Sequence, residues 1–263
     1  MEFIGFGRVH PSALVSGRSQ IGDGVAIGPF AIIHENVQLG PGCQVGPQAI
    51  LGEPRRGHDL DGGDNAPLRI GAGSSIGSGS VVYAGSSIGD RFQCGPGVTI
   101  GSGTVIGGAC SVGTLSTIEG HCAIGDHTRL HTAVHVSPLS RIGSFVWLFP
   151  HVVLTNDRTP PSDSIEGVVI EDFAVVSAGS VLLPGVRIAR HALVAAGSVV
   201  RSDVAAEAFV AGNPAKRVGT VRHLMSRETG RPHYPWPFRF ERGMPWEGMG
   251  FARWAGDDAA TGD

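Results

Sequence analysis

From Ile70 to Thr155 an aliphatic residue stands at every sixth position, with one exception. The leaders of the successive hexads are Ile70, Ile76, Val82, Ile88, Cys94, Ile100, Ile106, Val112, Ile118, Ile124, Leu130, Val136, Ile142, Leu148 and Leu154, and only Cys94 is not aliphatic. Four positions after most leaders the residue is small, as at Ser74, Ser80, Ser86, Thr104, Cys110, Ser116 and Ser140, with Phe92 as the outlier. A helix needs a period of 3.6 and a simple strand a period of 2, so this pattern predicts neither. It predicts a solenoid whose hexads each form a short strand and a turn, the leader and the small residue pointing inward and the rest facing out or turning a corner.

The same phase begins at Val9 and runs through Val15, Ile21, Ile27, Ile33, Leu39, Val45 and Leu51. It breaks after Leu51-Gly52-Glu53, where Arg55 falls on a small inward position, and the polar stretch from Pro54 to Asp64 reads as an excursion from the coil. A second break follows Leu154-Thr155-Asn156-Asp157. Arg158 there replaces the small residue, and Pro160-Pro161 exclude a regular strand. The leaders return at Ile170, Val176, Leu182, Ile188, Val194 and Val200, giving 8 hexads before the first excursion, 15 between the two and 6 after the second.

Composition sharpens this picture in three ways. A solenoid grows by adding coils and needs no second core, so the 263 residues read as one repeat domain over 1–217 and a C-terminal extension over 218–263. Charged residues at 16% and 41 glycines suit thin strands joined by tight corners, and a net charge of −3 offers no general attraction for nucleic acid or an acidic membrane. The first residues carry no basic segment followed by a long apolar core, and no 18-residue apolar run occurs, so a cytoplasmic location is expected. The four cysteines fall on repeat positions, Cys94 as a leader and Cys43, Cys110 and Cys122 in the small register, and read as core thiols.

The hexads resemble those of the hexapeptide-repeat acyltransferases, and the resemblance covers roughly Val9 to Gly219. It implies an all-β, left-handed parallel β-helix with three hexads per triangular coil, hence about ten coils, working as a homotrimer with sites in the clefts between neighbouring prisms. The stretch VHPSALVSGRSQIGDGVAIGPFAII with the LGEP loop looks like the UDP-N-acetylglucosamine acyltransferases of lipid A synthesis. LTNDRTPP and the closing AGNPAK look more like nucleotide-sugar N-acetyltransferases. Three hexads per coil also place the hexads that launch the excursions, the 8th and the 23rd, on one edge of the prism five coils apart. At about 4.8 Å per strand that is on the order of 24 Å.

In that frame residues 18 apart stack, so His135 faces outward between Thr117 and Val153, and His151 turns the corner into the same face one coil later. With Asn156 and Asp157 they are expected to surround one cleft, and a histidine can accept the proton released when a nucleophile attacks a thioester. The base of the histidine-using relatives would fall on Pro138, which cannot take a proton, so His135 either substitutes or an amine attacks unaided. His151 matches a coenzyme-contacting histidine in the segment Phe149-Pro150-His151. Acetyl-CoA or another acyl-CoA is the expected donor, along Ala178, Gly179, Ala196 and Gly197 with Lys216 near its phosphates. No metal is expected.

The resemblance thus implies N-acetylation of an amino group on a nucleotide-linked sugar, with O-acylation of a sugar or small alcohol as the nearest alternative. A carbonic-anhydrase-like metalloenzyme and a non-catalytic trimeric scaffold stand as rivals from other classes. The first of these is disfavoured because His127, His131 and His135 fall on different faces and corners. Val218 to Arg227 reads as a short helix, and the aromatics Tyr234, Trp236, Phe238, Phe240, Trp246, Phe251 and Trp254 as a cover packed on the solenoid, with a lid over a ligand base as the alternative.

Overall fold

The computed structural model describes residues 9–54 and 66–256. They form an all-β parallel solenoid of three sheets, with ten, nine and eleven strands among the described residues. The first sheet runs from Leu14–Val15 through His135–Val136 and Val153–Leu154 to Val199–Val200. The second runs from Gln20–Ile21 to Arg187–Ile188. The third runs from Ala26–Ile27 to a closing antiparallel hairpin, Ala208–Gly212 with Ala215–Thr220. Neighbouring strands pair in parallel at 18-residue spacing, as when Thr117 meets His135.

Among the described residues, every leader from Ile27 onward except half-buried Cys94 is buried, while Val9 and Ile21 at the start of the solenoid are exposed, and the residue before a leader faces out of the coil. The small register does more than save space. Ser116 donates through Oγ to the His131 carbonyl at 2.9 Å and accepts from the Val134 amide at 3.1 Å, while Thr128 does the same with Gly143 and Val146. A small hydroxyl at this position therefore satisfies backbone groups of the next coil that would otherwise be buried without partners. Phe92, the exception in the pattern, is itself fully buried.

Both excursions leave from the first sheet, after Ile50–Glu53 and after Val153–Leu154, five strands apart in the sheet order. The second adds ten residues to its coil, since Val153 pairs with Val181 and not with a residue 18 positions on. Beyond Pro54 the first excursion lies outside the described residues.

Corners carry the histidines. The third residue before each of many leaders has positive φ, and His121, His127, His151 and His191 all sit there with φ between 56° and 61°. Histidine tolerates that region better than most side chains, so much of the late cluster of histidines is corner chemistry.

The tail differs from expectation in one element. Ala215–Thr220 continues as a strand across positions 217 and 218, and only Val221–His223 forms a single 3₁₀ turn, because the segment pairs back onto Ala208–Gly212. Further on, Trp236–Phe238 makes another such turn and Phe251–Ala255 a short helix. The tail aromatics do cover the wall. Trp236, Met244, Trp246 and Phe251 are buried against Phe145, Phe173, Val175 and Leu193, and Trp236 donates its indole N–H to the Phe173 carbonyl at 3.0 Å.

Candidate active site

The outward ladder of the first sheet reads Thr117, His135, Val153, Val181 and Val199. The His135 side chain is 40% exposed, and its Nε2 stands 3.9 Å from Oε1 of Glu119. Glu119 directly follows the leader Ile118, one coil below. It was not singled out from the sequence, although the 18-residue spacing puts it under Ser137 and so diagonal to His135. A carboxylate beside an imidazole orients the ring.

The edge by which the chain enters this face gathers the residues expected to meet a donor. His151, Gly179 and Gly197 all turn the corner at positive φ, and the coils are tied there by Gly179 N–H to Pro150 O and Gly197 N–H to Ala178 O, both 2.9 Å. A Cβ added to Gly179 or Gly197 would meet nothing within 4 Å, so the edge is open to a ligand laid along it. His151, Ala178 and Ala196 are exposed beside them. The closing hairpin caps this edge through Gly212 N–H to Ser198 Oγ at 3.2 Å, and exposed Lys216 stands opposite Ala211 in that hairpin.

At the far edge, Asn156 and Asp157 begin the second excursion, which is folded on itself. The Glu166 amide donates to the Asn156 carbonyl at 2.8 Å, and Arg158 pairs with Glu166 at 3.1 Å. Asp157 takes hydrogen bonds from the amides of Thr159 and Ser162 and from the Ser162 hydroxyl. Desolvation pushes its carboxyl up, but these bonds outweigh it and hold the group below the usual carboxylate range. Asp157, expected among the catalytic residues, is thus the scaffold of the loop, with both oxygens committed to it. The structure brings His135 to Glu119 and gathers His151 with the open glycine edge, while the loop stands apart at the opposite rim.

The remaining candidates separate by face. His127 is on a corner stacked on Phe145, His131 is on the third sheet stacked on Phe149, and His135 is on the first. All four cysteines are free, and burial pushes the Cys110 thiol to about 12 and the Cys122 thiol to about 11, so neither supplies a thiolate at neutral pH. Grooves of about 510 and 390 Å³ lie on the second and third sheets, and neither is lined by His135 or His151. Groove size therefore does not single out the His135 face. In the larger one, Glu171 is already engaged by Arg187 and by the Arg190 amide.

A family model described as bacterial transferase hexapeptide (six repeats) matches residues 9–53. The chain is similar to 2,3,4,5-tetrahydropyridine-2,6-dicarboxylate N-acetyltransferase of Staphylococcus aureus, 50% identical over 64 residues that make up 24% of this chain and 26% of that protein. It spans about a quarter of the length of the curated relatives it matches. Among solved structures, the UDP-N-acetylglucosamine acyltransferase of Francisella novicida superposes with a TM-score of 0.62 at 18% identity, covering 81% of this chain and 70% of that one. The corresponding protein of Campylobacter jejuni gives 0.59 at 19% identity, covering 84% and 79%. At these identities the likeness is one of fold, and the fold is the hexapeptide-repeat solenoid that the period of six predicted.

Proposed function

We propose that this hexapeptide-repeat chain is an acyltransferase that carries an acyl group from a thioester donor to a small acceptor on the face of its first sheet, and that the acceptor is an amino group of a nucleotide-linked sugar. The observation that carries the acyl-transfer part of the reading is the outward His135–Glu119 pair on a face bordered by the open edge of His151, Gly179 and Gly197. A family match and a relative named as an N-acetyltransferase support the reaction class.

The donor, an acyl-CoA, lies along Ala178, Gly179, Ala196 and Gly197, where missing side chains leave the backbone open, and Lys216 meets its phosphates. His135 removes the proton as the acceptor nitrogen attacks the thioester carbonyl, and Glu119 stabilises the imidazolium so formed. The carbonyl oxygen becomes an oxyanion, held by a corner N–H or by His151. The C–S bond then breaks, and His135 returns the proton to the departing thiolate. Asn156 borders the acceptor, while Asp157 keeps the loop in shape. The working unit is a homotrimer, in which the half-buried outward residues Val153, Val181, Leu183 and Val199 are covered by a neighbour. Sedimentation of a stable, active monomer would overturn that assembly.

O-acylation is the second reading, and the His135–Glu119 pair itself favours it, because a hydroxyl needs a base more than a neutral amine does. One experiment tests both. Coenzyme A release is measured with nucleotide amino sugars and their hydroxyl counterparts, for the wild type and His135→Ala. The variant is expected to lose roughly 10²–10⁴-fold in kcat. If it keeps wild-type kcat at high pH, where the amine is already neutral, His135 is not the base. Turnover of hydroxyl acceptors alone would establish the second reading.

A further inference from the structure

Among the described residues, the face of the third sheet is covered by the tail over its later coils and bare over its earlier ones. On the bare part, Ser75, Gln93 and Ser111 line a trough of about 390 Å³ that ends against Arg129, His131 and Trp147, where the tail begins. Among the described residues no acidic side chain lines it.

Arg129 is held firmly, but no counter-charge pairs with it among the described residues. One guanidinium nitrogen donates to the Gly243 carbonyl of the tail at 3.0 Å, and the guanidinium lies 5.0 Å over the Trp147 ring. Among the described residues neither Arg129 nor Arg242 has an ion pair. In the tail, Glu247 uses its Oε2 on the Gly243 amide, and exposed Glu241 forms no ion pair among the described residues. Burial, with repulsion from Arg242, draws Arg129 below the usual arginine range, and burial with the Arg129 charge draws His131 down as well. The Trp147 indole N–H is also buried without an acceptor among the described residues. A partly buried guanidinium with a like charge beside it and no carboxylate is unfavourable, and an anion seated there removes the cost through charge-assisted hydrogen bonds.

We propose that this trough is a second ligand site, separate from the His135 face, for a small anionic molecule whose phosphate or carboxylate group is held by Arg129 and His131 and whose neutral polar body lies over Gln93 and Ser111. The coil backbones approach too closely at Gly95 and Gly113 for side chains there, so the floor of the trough is bare backbone between polar side chains. Such a floor suits a hydroxyl-rich body.

Calorimetric titration at low ionic strength tests this on the full chain, with a sugar phosphate, a hydroxy-dicarboxylate and the unphosphorylated sugar as probes. One of the two anions is expected to bind with one site per chain and a Kd below about 1 mM, and the neutral sugar not at all. Which anion binds decides between phosphate and carboxylate. Arg129→Gln should weaken binding by about tenfold or more. Ser111→Phe leaves the arginine in place but fills the trough, and should weaken a bulky anion more than inorganic phosphate. Both variants are first checked for an unchanged melting profile. No saturable binding of either anion at about 10 mM, or binding that both folded variants keep unchanged, overturns the proposal.

Discussion

In the earlier coils the outward positions of the third sheet are Ala26, Gln44, Ser75, Gln93 and Ser111. In the later ones they are Trp147, Val175, Leu193 and Phe209, although the leaders beneath both sets are alike in kind and, apart from half-buried Cys94, alike in burial. The corner beside them changes in step. It is glycine at Gly42 and Gly73, but further on His127, Phe145, Phe173 and His191 stack ring on ring at about 5.0 Å. The inner wall of a solenoid closes itself coil by coil, so its leaders are interchangeable. What differs is the coat, and the coat decides where the tail can dock.

Breaking the docked half should have the largest effect. Trp246 is fully buried and donates its indole N–H to the Phe240 carbonyl at 2.9 Å, so Trp246→Ala should cost about 3–5 kcal/mol. Hydrogen exchange should then rise in the tail and the later coils while the earlier coils keep their protection. Equal loss throughout would mean that the two regions are one cooperative unit.

The corner column gives the next test. Phe145→Gly removes a ring that contacts Phe173, Trp246 and Trp254 while relieving a left-handed backbone, and a net loss of about 2–3 kcal/mol is expected in denaturant unfolding.

Acid should weaken the same column. Burial first, then the charge of Arg190, holds His191 down to about 4, and its Nδ1 is buried without a partner among the described residues. An unfolded histidine takes its proton near pH 6.5, so between pH 6.5 and 4 the unfolded state binds more protons and stability falls as pH falls. His127 and His131, also held low mainly by burial, act in the same direction. His191→Gln should flatten this limb in urea midpoints measured at pH 7 and 4.5. An unchanged slope would remove His191 from the account.

The smallest effect is expected at a corner that stays exposed, on the edge by which the chain enters the first sheet. Leu115 has the same kind of left-handed corner, at φ 58°, but is 66% exposed. Leu115→Gly should therefore be neutral or stabilising by up to about 1 kcal/mol, opposite in sign to Phe145→Gly, and thermal melts of the two side by side would read it.

The period of six was enough to place the leaders, because an inward position recurs at a fixed spacing whatever surrounds it, and the three hexads per coil implied by the family resemblance then placed the coils and the shared origin of both excursions. That family frame put His135 between Thr117 and Val153, and His151 on the corner that Gly179 and Gly197 continue. Three things needed the folded chain. Glu119 reaches His135 diagonally, across coils. Asp157 spends its oxygens on a loop whose shape no repeat specifies. Residues 215–220, which read as part closing motif and part helix, are held as a strand by pairing with residues 208–212. The tail shows the limit most plainly: its aromatics announced burial, but only the column of Phe145 and Phe173, assembled from residues 28 apart, decided which wall they would bury.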